Sequence, residues 1–143
     1  MVFGLFSSKL SVGLEKRGRE YFPGELVKGH LKLSTLKEVK ARGVKVQIRC
    51  VEWMNPKKDG GKEEEGKEIL LWEKEKTLGK AHKYSAGEWK FEFALPKNAL
   101  PSIIPEPCKK DANEGAGLKW YIRGHMDIPN GIDMHAYKQF FVY

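Results

Sequence analysis

The feature that most constrains the fold of this chain is a period-two alternation of apolar and polar residues, which recurs along most of its length. The clearest case is the segment 44–50, in which Val, Val, Ile and Cys alternate with Lys, Gln and Arg. Successive side chains of a β-strand point to opposite faces of the sheet, so this spacing puts the apolar residues on one face. The segment is therefore predicted to be a strand with one buried and one solvated face.

Similar patterns predict further strands elsewhere in the chain, at residues 9–16, 27–33, 69–78, 88–95, 118–126 and 134–142. The charged run Glu73–Lys76 is also compatible with a helix, but a strand is favoured because the neighbouring segments are strands. No segment has the pattern of an amphipathic helix. Strands with one apolar face are buried by packing two antiparallel sheets together. We therefore predict an all-β, immunoglobulin-like β-sandwich, formed by residues 1–143 as a single domain.

Local signals refine this prediction at five places. Pro23-Gly24 predicts a turn with positive φ at the glycine, and Gly29 on the buried side of the next strand predicts close approach of a large neighbour or another backbone. Apolar character changes face after Cys50, which indicates a bulge or an added covering contact. Asn130-Gly131 is typical of a hairpin turn, and the segment 55–67, which lacks apolar residues, is predicted to be a mobile loop.

Composition restricts the location and the partners of the chain. The formal net charge of +7 favours acidic partners, although solubility alone also explains it. The two cysteines, Cys50 and Cys108, form no CxxC pair, and Cys50 is expected to be buried. We expect a cytoplasmic protein without a signal peptide or membrane-spanning segment, and the mixed Lys and Glu runs are compatible with a thermophile.

Three groups of residues, in this order, resemble the N-terminal domain of arrestins. They are YFPGELVKG at 21–29; FEFALP at 91–96 followed by LPSI at 100–103; and LKWYIRG at 118–124 followed by FFV at 140–142. The similarity covers nearly all of the chain. Proteins with this fold include the α-arrestins, the cargo-binding subunit of retromer and the sporulation-control protein of bacilli.

The resemblance implies an immunoglobulin-like sandwich that binds proteins and has no catalytic activity. The chain departs from the two-domain arrestin pattern at Tyr143, where an arrestin continues into its second domain. Functions of the cleft between two domains are therefore not implied. A homodimer through an exposed sheet face or edge is a further expectation, because such contacts cover apolar surface.

The candidate binding residues are basic. Lys16, Arg17 and Arg19 fall where the resemblance implies a phosphate-holding Lys-Arg pair, and Arg binds phosphate in a bidentate way. Lys45 and Arg49 share the wet face of the 44–50 strand and extend this basic surface. The alternatives are a solvated turn for the first group and edge protection for the second.

The aromatic residues and histidines divide into core and contact candidates. Trp53 and Trp72 break the alternation and are predicted to be exposed contact residues, whereas Trp89, Trp120, Phe91 and Phe93 are predicted to pack in the core. The four histidines show no metal-ligand spacing, and Asp127 with Asp133 is too small a set for calcium. No catalytic motif is found, so no catalytic residue, metal or cofactor is predicted.

These observations favour a non-catalytic adaptor that binds a protein partner, with acidic or phosphorylated peptides as the ligand class. The alternative is a basic nucleic-acid-binding β-sandwich, which the net charge supports and the inward position of the aromatic residues opposes. A hydrolase or glycan-processing sandwich is a third alternative, but no convergent polar site supports it.

Overall fold

The computed structural model describes residues 8–54, 67–103 and 116–143. These residues form ten β-strands and no helix. The strands are β1 (Ser8–Leu14), β2 (Glu20–Tyr21), β3 (Leu26–Thr35), β4 (Val39–Ala41), β5 (Gly43–Met54), β6 (Lys67–Gly79), β7 (His82–Tyr84), β8 (Gly87–Ala94), β9 (Ala116–Asp127) and β10 (Met134–Val142). The predicted loop lies outside the described residues apart from Lys67, as do the chain start and Cys108.

Two sheets face each other across one core. The first contains three strands in the order β1-β3-β8, and the second contains five in the order β2-β10-β9-β5-β6. The short strands β4 and β7 form a separate pair. The core cluster draws its apolar side chains from both larger sheets, including Leu31 and Phe93 from one and Ile48 and Trp120 from the other. The predicted all-β, immunoglobulin-like sandwich is confirmed.

The turn at Pro23-Gly24 has the predicted geometry. The Glu25 amide donates to the Phe22 carbonyl at 3.0 Å, and Gly24 has a φ of 84°, as the third position of such a turn requires. In the following strand a Cβ on Gly29 would lie 2.3 Å from the carbonyl oxygen of Gly13 on β1. Gly29 therefore lets two backbones approach closely, as the sequence predicts.

The change of apolar face after Cys50 coincides with a bulge. Cys50 pairs with Trp72, but Val51 pairs with Leu70, so β6 contains one extra residue at this point. A second register shift lies between Val44 and Lys45. Bulges re-aim the side chains that follow them, which explains why both faces of β6 carry bulky residues.

The structure corrects the sequence-based strand assignment in two ways. Three short strands, β2, β4 and β7, fall in segments that were not predicted as strands, because two or three residues are too few to show an alternation. One of them, β2, pairs with β10 in parallel, whereas the other strand pairs in the described residues are antiparallel. The Asn130 turn does join β9 to β10, and Asn130 has a φ of 57°.

Candidate binding face

The five-stranded sheet turns one face away from the core, and we refer to it as the outer face. Alternate residues of β5, β9 and β10 project from it, and the strand register arranges them in rows. The first row is Arg49-Tyr121-Gln139, the second is Gln47-Arg123-Tyr137, and the third is Lys45-His125-His135. Neighbouring strands are about 4.8 Å apart, so the members of a row lie side by side.

The first row borders an open depression of about 450 Å³ on the outer face. The residues that line it are Arg49, Glu68, Lys119, Tyr121, Tyr137 and Gln139. Arg49 donates through Nη1 to the Tyr121 hydroxyl at 2.8 Å, and its guanidinium carbon lies 5.7 Å from the centre of the Tyr121 ring. Burial raises the pKa of Tyr121, so the phenol keeps its proton at neutral pH. The depression therefore combines cationic, phenolic and amide groups with one carboxylate, that of Glu68.

The two predicted basic residues on β5 already have acidic partners on β6. Lys45 Nζ lies 3.4 Å from Glu75, and Arg49 Nε lies 2.8 Å from Glu73 without the alignment of a hydrogen bond. A hydrogen bond from Gln47, assisted by Lys45, lowers the pKa of Glu75. These ion pairs neutralise part of the charge that the sequence assigned to binding.

In the predicted basic turn, Lys16 is engaged by its own surroundings. It forms an ion pair with Glu25, donates to the Glu20 carbonyl at 3.2 Å, and lies 4.8 Å from the centre of the Tyr21 ring. The hydrogen bond from Lys16, followed by one from the Phe22 amide, lowers the pKa of Glu25. The Pro23-Gly24-Glu25 turn thus fixes the position of Lys16.

The two arginines of this turn differ from Lys16. Arg17 is exposed, and no carboxylate among the described residues lies within ion-pair distance of Arg17 or Arg19. Arg19 has a φ of 53°, donates to the Gln139 carbonyl at 3.1 Å, and lies 5.8 Å from the centre of the Phe141 ring. Gln139 also lines the depression. The structure therefore brings Arg19 next to the outer face, on the side opposite β6.

The two tryptophans proposed as contact residues are both half-buried. The Trp72 ring packs against Trp120 at a centroid distance of 5.6 Å and borders the core. Trp53 covers Gly117, where an added Cβ would lie 2.4 Å from Trp53 Nε1. Their role in contacts with a partner stays a prediction. The predicted core residues Phe91, Phe93 and Trp120 are buried, and Trp89 packs against them as a half-buried residue.

The third row contains a group that the sequence analysis missed. The rings of His125 and His135 are stacked at 4.7 Å with an interplanar angle of 3°. His125 Nε2 donates to Asp133 at 2.9 Å, and this hydrogen bond is the main cause that lowers the pKa of Asp133. The two histidines are equally distant from Asn130 along the chain. A hairpin centred on that residue would have predicted the pair.

Edge pairing is restricted at β6, which has a partner on one side only among the described residues. Its Lys74 and Lys76 pair in register with the inward-facing Ile48 and Val46, so they lie on the core side of the sheet. Lys76 also donates to the Glu92 carbonyl and lies 5.0 Å from the centre of the Phe93 ring. Inward-facing charges on an edge strand disfavour pairing with another chain. The homodimer stays a prediction.

A metal site and a membrane-spanning helix each place their own requirements on the described parts of the chain. Residues 8–54, 67–103 and 116–143 contain no group of three or more His, Cys, Asp or Glu side chains arranged to hold a metal ion. These same segments contain no helix with the length and apolarity needed to cross a bilayer. Cys50 is buried, and its burial raises the pKa of the thiol to about 11.

Comparisons with known proteins agree with the fold. The family model for the N-terminal domain of arrestin (or S-antigen) matches residues 10–143. Among solved structures, the chain is similar to the crystal structure of Spo0M, a sporulation control protein from Bacillus subtilis, with 20% sequence identity and a TM-score of 0.62. The match covers 95% of this chain and 49% of that one, so this chain spans about half of the Spo0M structure. A comparison with curated protein sequences gives no match.

Proposed function

The chain belongs to the arrestin N-terminal domain family, and we propose that it is a non-catalytic adaptor that binds an acidic or phosphorylated segment of a protein partner. The binding surface in this proposal joins the basic turn at Lys16, Arg17 and Arg19 to the outer face around Arg49 and Lys45. A peptide fits this arrangement because the surface is open and shallow, and it offers several hydrogen-bond donors.

The observation that carries the proposal is the contact between Arg19 and Gln139. The Arg19 guanidinium donates to the main-chain carbonyl of Gln139 at 3.1 Å, and Gln139 lines the same depression as Arg49. Basic groups that are 30 positions apart in the sequence therefore border one surface. Arginine binds carboxylate and phosphate groups through two parallel N–H donors, which gives both affinity and orientation.

The acidic residues on the outer face favour a peptide over nucleic acid. Glu68, Glu73 and Glu75 lie along β6 and pair with Lys119, Arg49 and Lys45. A nucleic acid that extended across the sheet would be repelled by these carboxylates. Its affinity depends on the number of phosphates that basic groups can neutralise, and the carboxylates reduce that number. A short acidic segment can instead reach from Arg19 and Gln139 to Arg49 without extending across β6.

Charge reversal tests the proposal directly. The variant Lys16→Glu/Arg17→Glu/Arg19→Glu is titrated against a fluorescent peptide that contains one phosphoserine among acidic residues, and binding is followed by anisotropy. We expect a loss of at least about tenfold in affinity, because three favourable charges become unfavourable. The matched control is Lys9→Glu/Lys32→Glu/Lys90→Glu, which changes the net charge equally at exposed positions of the three-stranded sheet.

Two results would contradict the proposal. Equal loss of affinity in the two triple variants would mean that the peptide responds only to net charge. Unchanged affinity in the turn variant would remove the basic turn from the binding surface. A random oligonucleotide serves as a competitor, and its preference over the peptide would favour the nucleic-acid alternative.

A further inference from the structure

Arg123 differs from the other cations on the outer face. Lys45, Arg49 and Lys119 each have a carboxylate partner on β6, at 3.4, 2.8 and 2.7 Å. Arg123 lies between these pairs and β10, and no carboxylate in the described part of the chain is within ion-pair distance of it. Its positive charge is therefore not neutralised within the sheet.

The groups around Arg123 are neutral or aromatic. In its own row it lies between Gln47 and Tyr137, and it donates through Nη2 to His135 Nδ1 at 3.3 Å. Arg123 Nε and Gln47 Oε1 are both buried without a hydrogen-bond partner. A buried N–H without an acceptor is unfavourable, so this row is not fully satisfied by the protein's own groups.

We propose that Arg123, with His135 and Tyr137, forms an oxoanion site on the outer face that receives a phosphoryl or carboxylate group of the partner segment. This inference rests on the proposed function and names the residue that fixes one anionic group. A planar guanidinium gives a bidentate contact to either oxoanion. The exposed Tyr137 hydroxyl and the His135 ring supply further donors beside it.

His135 makes the occupancy of this site depend on pH. It accepts the Arg123 hydrogen bond only when Nδ1 carries no proton, so the neutral ring occupies one donor of the guanidinium. A protonated His135 is itself a donor and repels Arg123. An anion bound between the two cations offsets that repulsion, so proton binding and anion binding strengthen each other.

The other charged groups around His135 act in both directions. Burial is the main cause that lowers the pKa of His135, followed by repulsion from His125 and Arg123, whereas Asp133 raises it. Lys45 lies in the same row on β5, with Glu75 beside it on β6. At neutral pH His135 is therefore uncharged, and the site gains a cation only below the ordinary pKa of histidine.

Sulfate is a suitable probe because its charge does not change in this pH range. The full chain is labelled with ¹⁵N, and the arginine side-chain N–H signals are followed during a sulfate titration at about pH 7.5 and about pH 5.5. We expect the Arg123 signal to shift in a saturable way, with binding at least about threefold tighter at the lower pH. Substitution of Arg123 identifies its signal.

Four variants separate this role from a structural one. Arg123→Gln is expected to abolish saturable sulfate binding on the outer face, and Arg123→Lys, which keeps the charge and the aliphatic stem, is expected to weaken it. His135→Asn is expected to keep binding but to lose most of its pH dependence. Lys32→Gln removes one charge from the three-stranded sheet and is expected to leave the titration unchanged.

Peptides then identify the source of the anion. Two peptides are compared that differ only at one position, which is phosphoserine in one and glutamate in the other. The peptide with the higher affinity shows whether Arg123 prefers a phosphoryl or a carboxylate group. Peptide binding that is lost in the triple turn variant but unchanged in Arg123→Gln would overturn this inference and leave the proposed function intact. Sulfate shifts confined to Arg17 and Arg19, or equal affinity at both pH values, would also overturn it.

Discussion

The inner and outer faces of β5 and β9 belong to the same backbone but differ in almost every physical respect. On the inner face Val44, Val46, Ile48, Ile122 and Met126 are fully buried, with 0% exposure. One position away, the outer face carries Lys45, Gln47, Arg49, Arg123 and His125. The difference teaches that, on these two strands, the parity of the residue number decides whether a side chain packs in the core or lies on the outer face.

The energies of the two faces differ accordingly. A large buried side chain contributes about 1.5–3 kcal/mol through removal of its surface from water. Partly exposed ion pairs such as Lys45–Glu75 typically contribute about 0–1 kcal/mol. Outer-face residues can therefore change with little effect on folding.

Among the variants that test this difference between the faces, the largest loss of stability is expected at Trp120 on the inner face. Trp120→Ala removes a ring that contacts Phe140 and Trp72, and it removes the donor of the 2.9 Å hydrogen bond to the Leu100 carbonyl. We expect the free energy of unfolding to fall by about 3–5 kcal/mol. Urea denaturation, followed by circular dichroism, measures this free energy.

The control is the next residue, Tyr121→Phe, which loses only the hydroxyl that accepts from Arg49. We expect a loss of about 1 kcal/mol for that variant. Equal losses at the two positions would mean that the two faces do not differ in their contribution to stability.

A smaller loss of stability is expected from a substitution at Gly124, where the two sheets meet. A Cβ at this inner position would lie 2.3 Å from Leu31 Cδ1 on the opposite sheet, and Leu31 is fully buried. We expect Gly124→Ala to destabilise the protein by about 1–3 kcal/mol through overpacking. Leu31→Val removes the interfering atom, so the double variant should lose less than the sum of the single variants. Strictly additive losses in the free energy of unfolding would mean that Gly124 and Leu31 do not contact each other.

The smallest effect is expected on the outer face, from His135. Its folded-state pKa is lower than the ordinary value of 6.5, so the unfolded chain binds the proton more readily. Stability from this group is fully present above pH 6.5 and is lost as the pH falls toward the folded-state pKa. We expect a loss of less than about 1 kcal/mol, because most of the side chain is exposed and its burial is only partial.

Denaturation of the wild type and His135→Asn at about pH 7.5 and about pH 5.5 isolates this contribution. The variant should lose less stability on acidification than the wild type. A steeper loss in the variant would contradict the direction of the pKa shift.

The sequence predicted most of the fold because its signals are local. Alternation identified the long strands, and Pro23-Gly24 and Asn130 identified turns. The break after Cys50 indicated a bulge or an added covering contact, and the structure has a bulge there, with the extra residue on β6. The order of the resembling segments identified the family, and the family model confirms it. Strands of two or three residues were missed, since a period of two needs a longer segment to be visible.

The candidate site was predicted less completely. The sequence indicated Lys16, Arg19 and Arg49 as basic residues, but it gave no sign that Lys16 and Arg49 have acidic partners. It also missed Arg123, which looks like any other outward-facing residue of a strand. The charge available for binding depends on which carboxylates lie nearby, and composition does not contain that information.

What the sequence by itself determined is which residues of the long alternating strands, such as β5 and β9, face the core and which face outward, because the geometry of a strand fixes that division. Tertiary structure alone decided that Arg19 contacts a residue 120 positions away, and that His125 stacks on His135 next to Arg123. These contacts depend on strand order and register, which are set when two sheets close on a common core. The faces are therefore a local property of this chain, and the proposed binding site is a property of its topology.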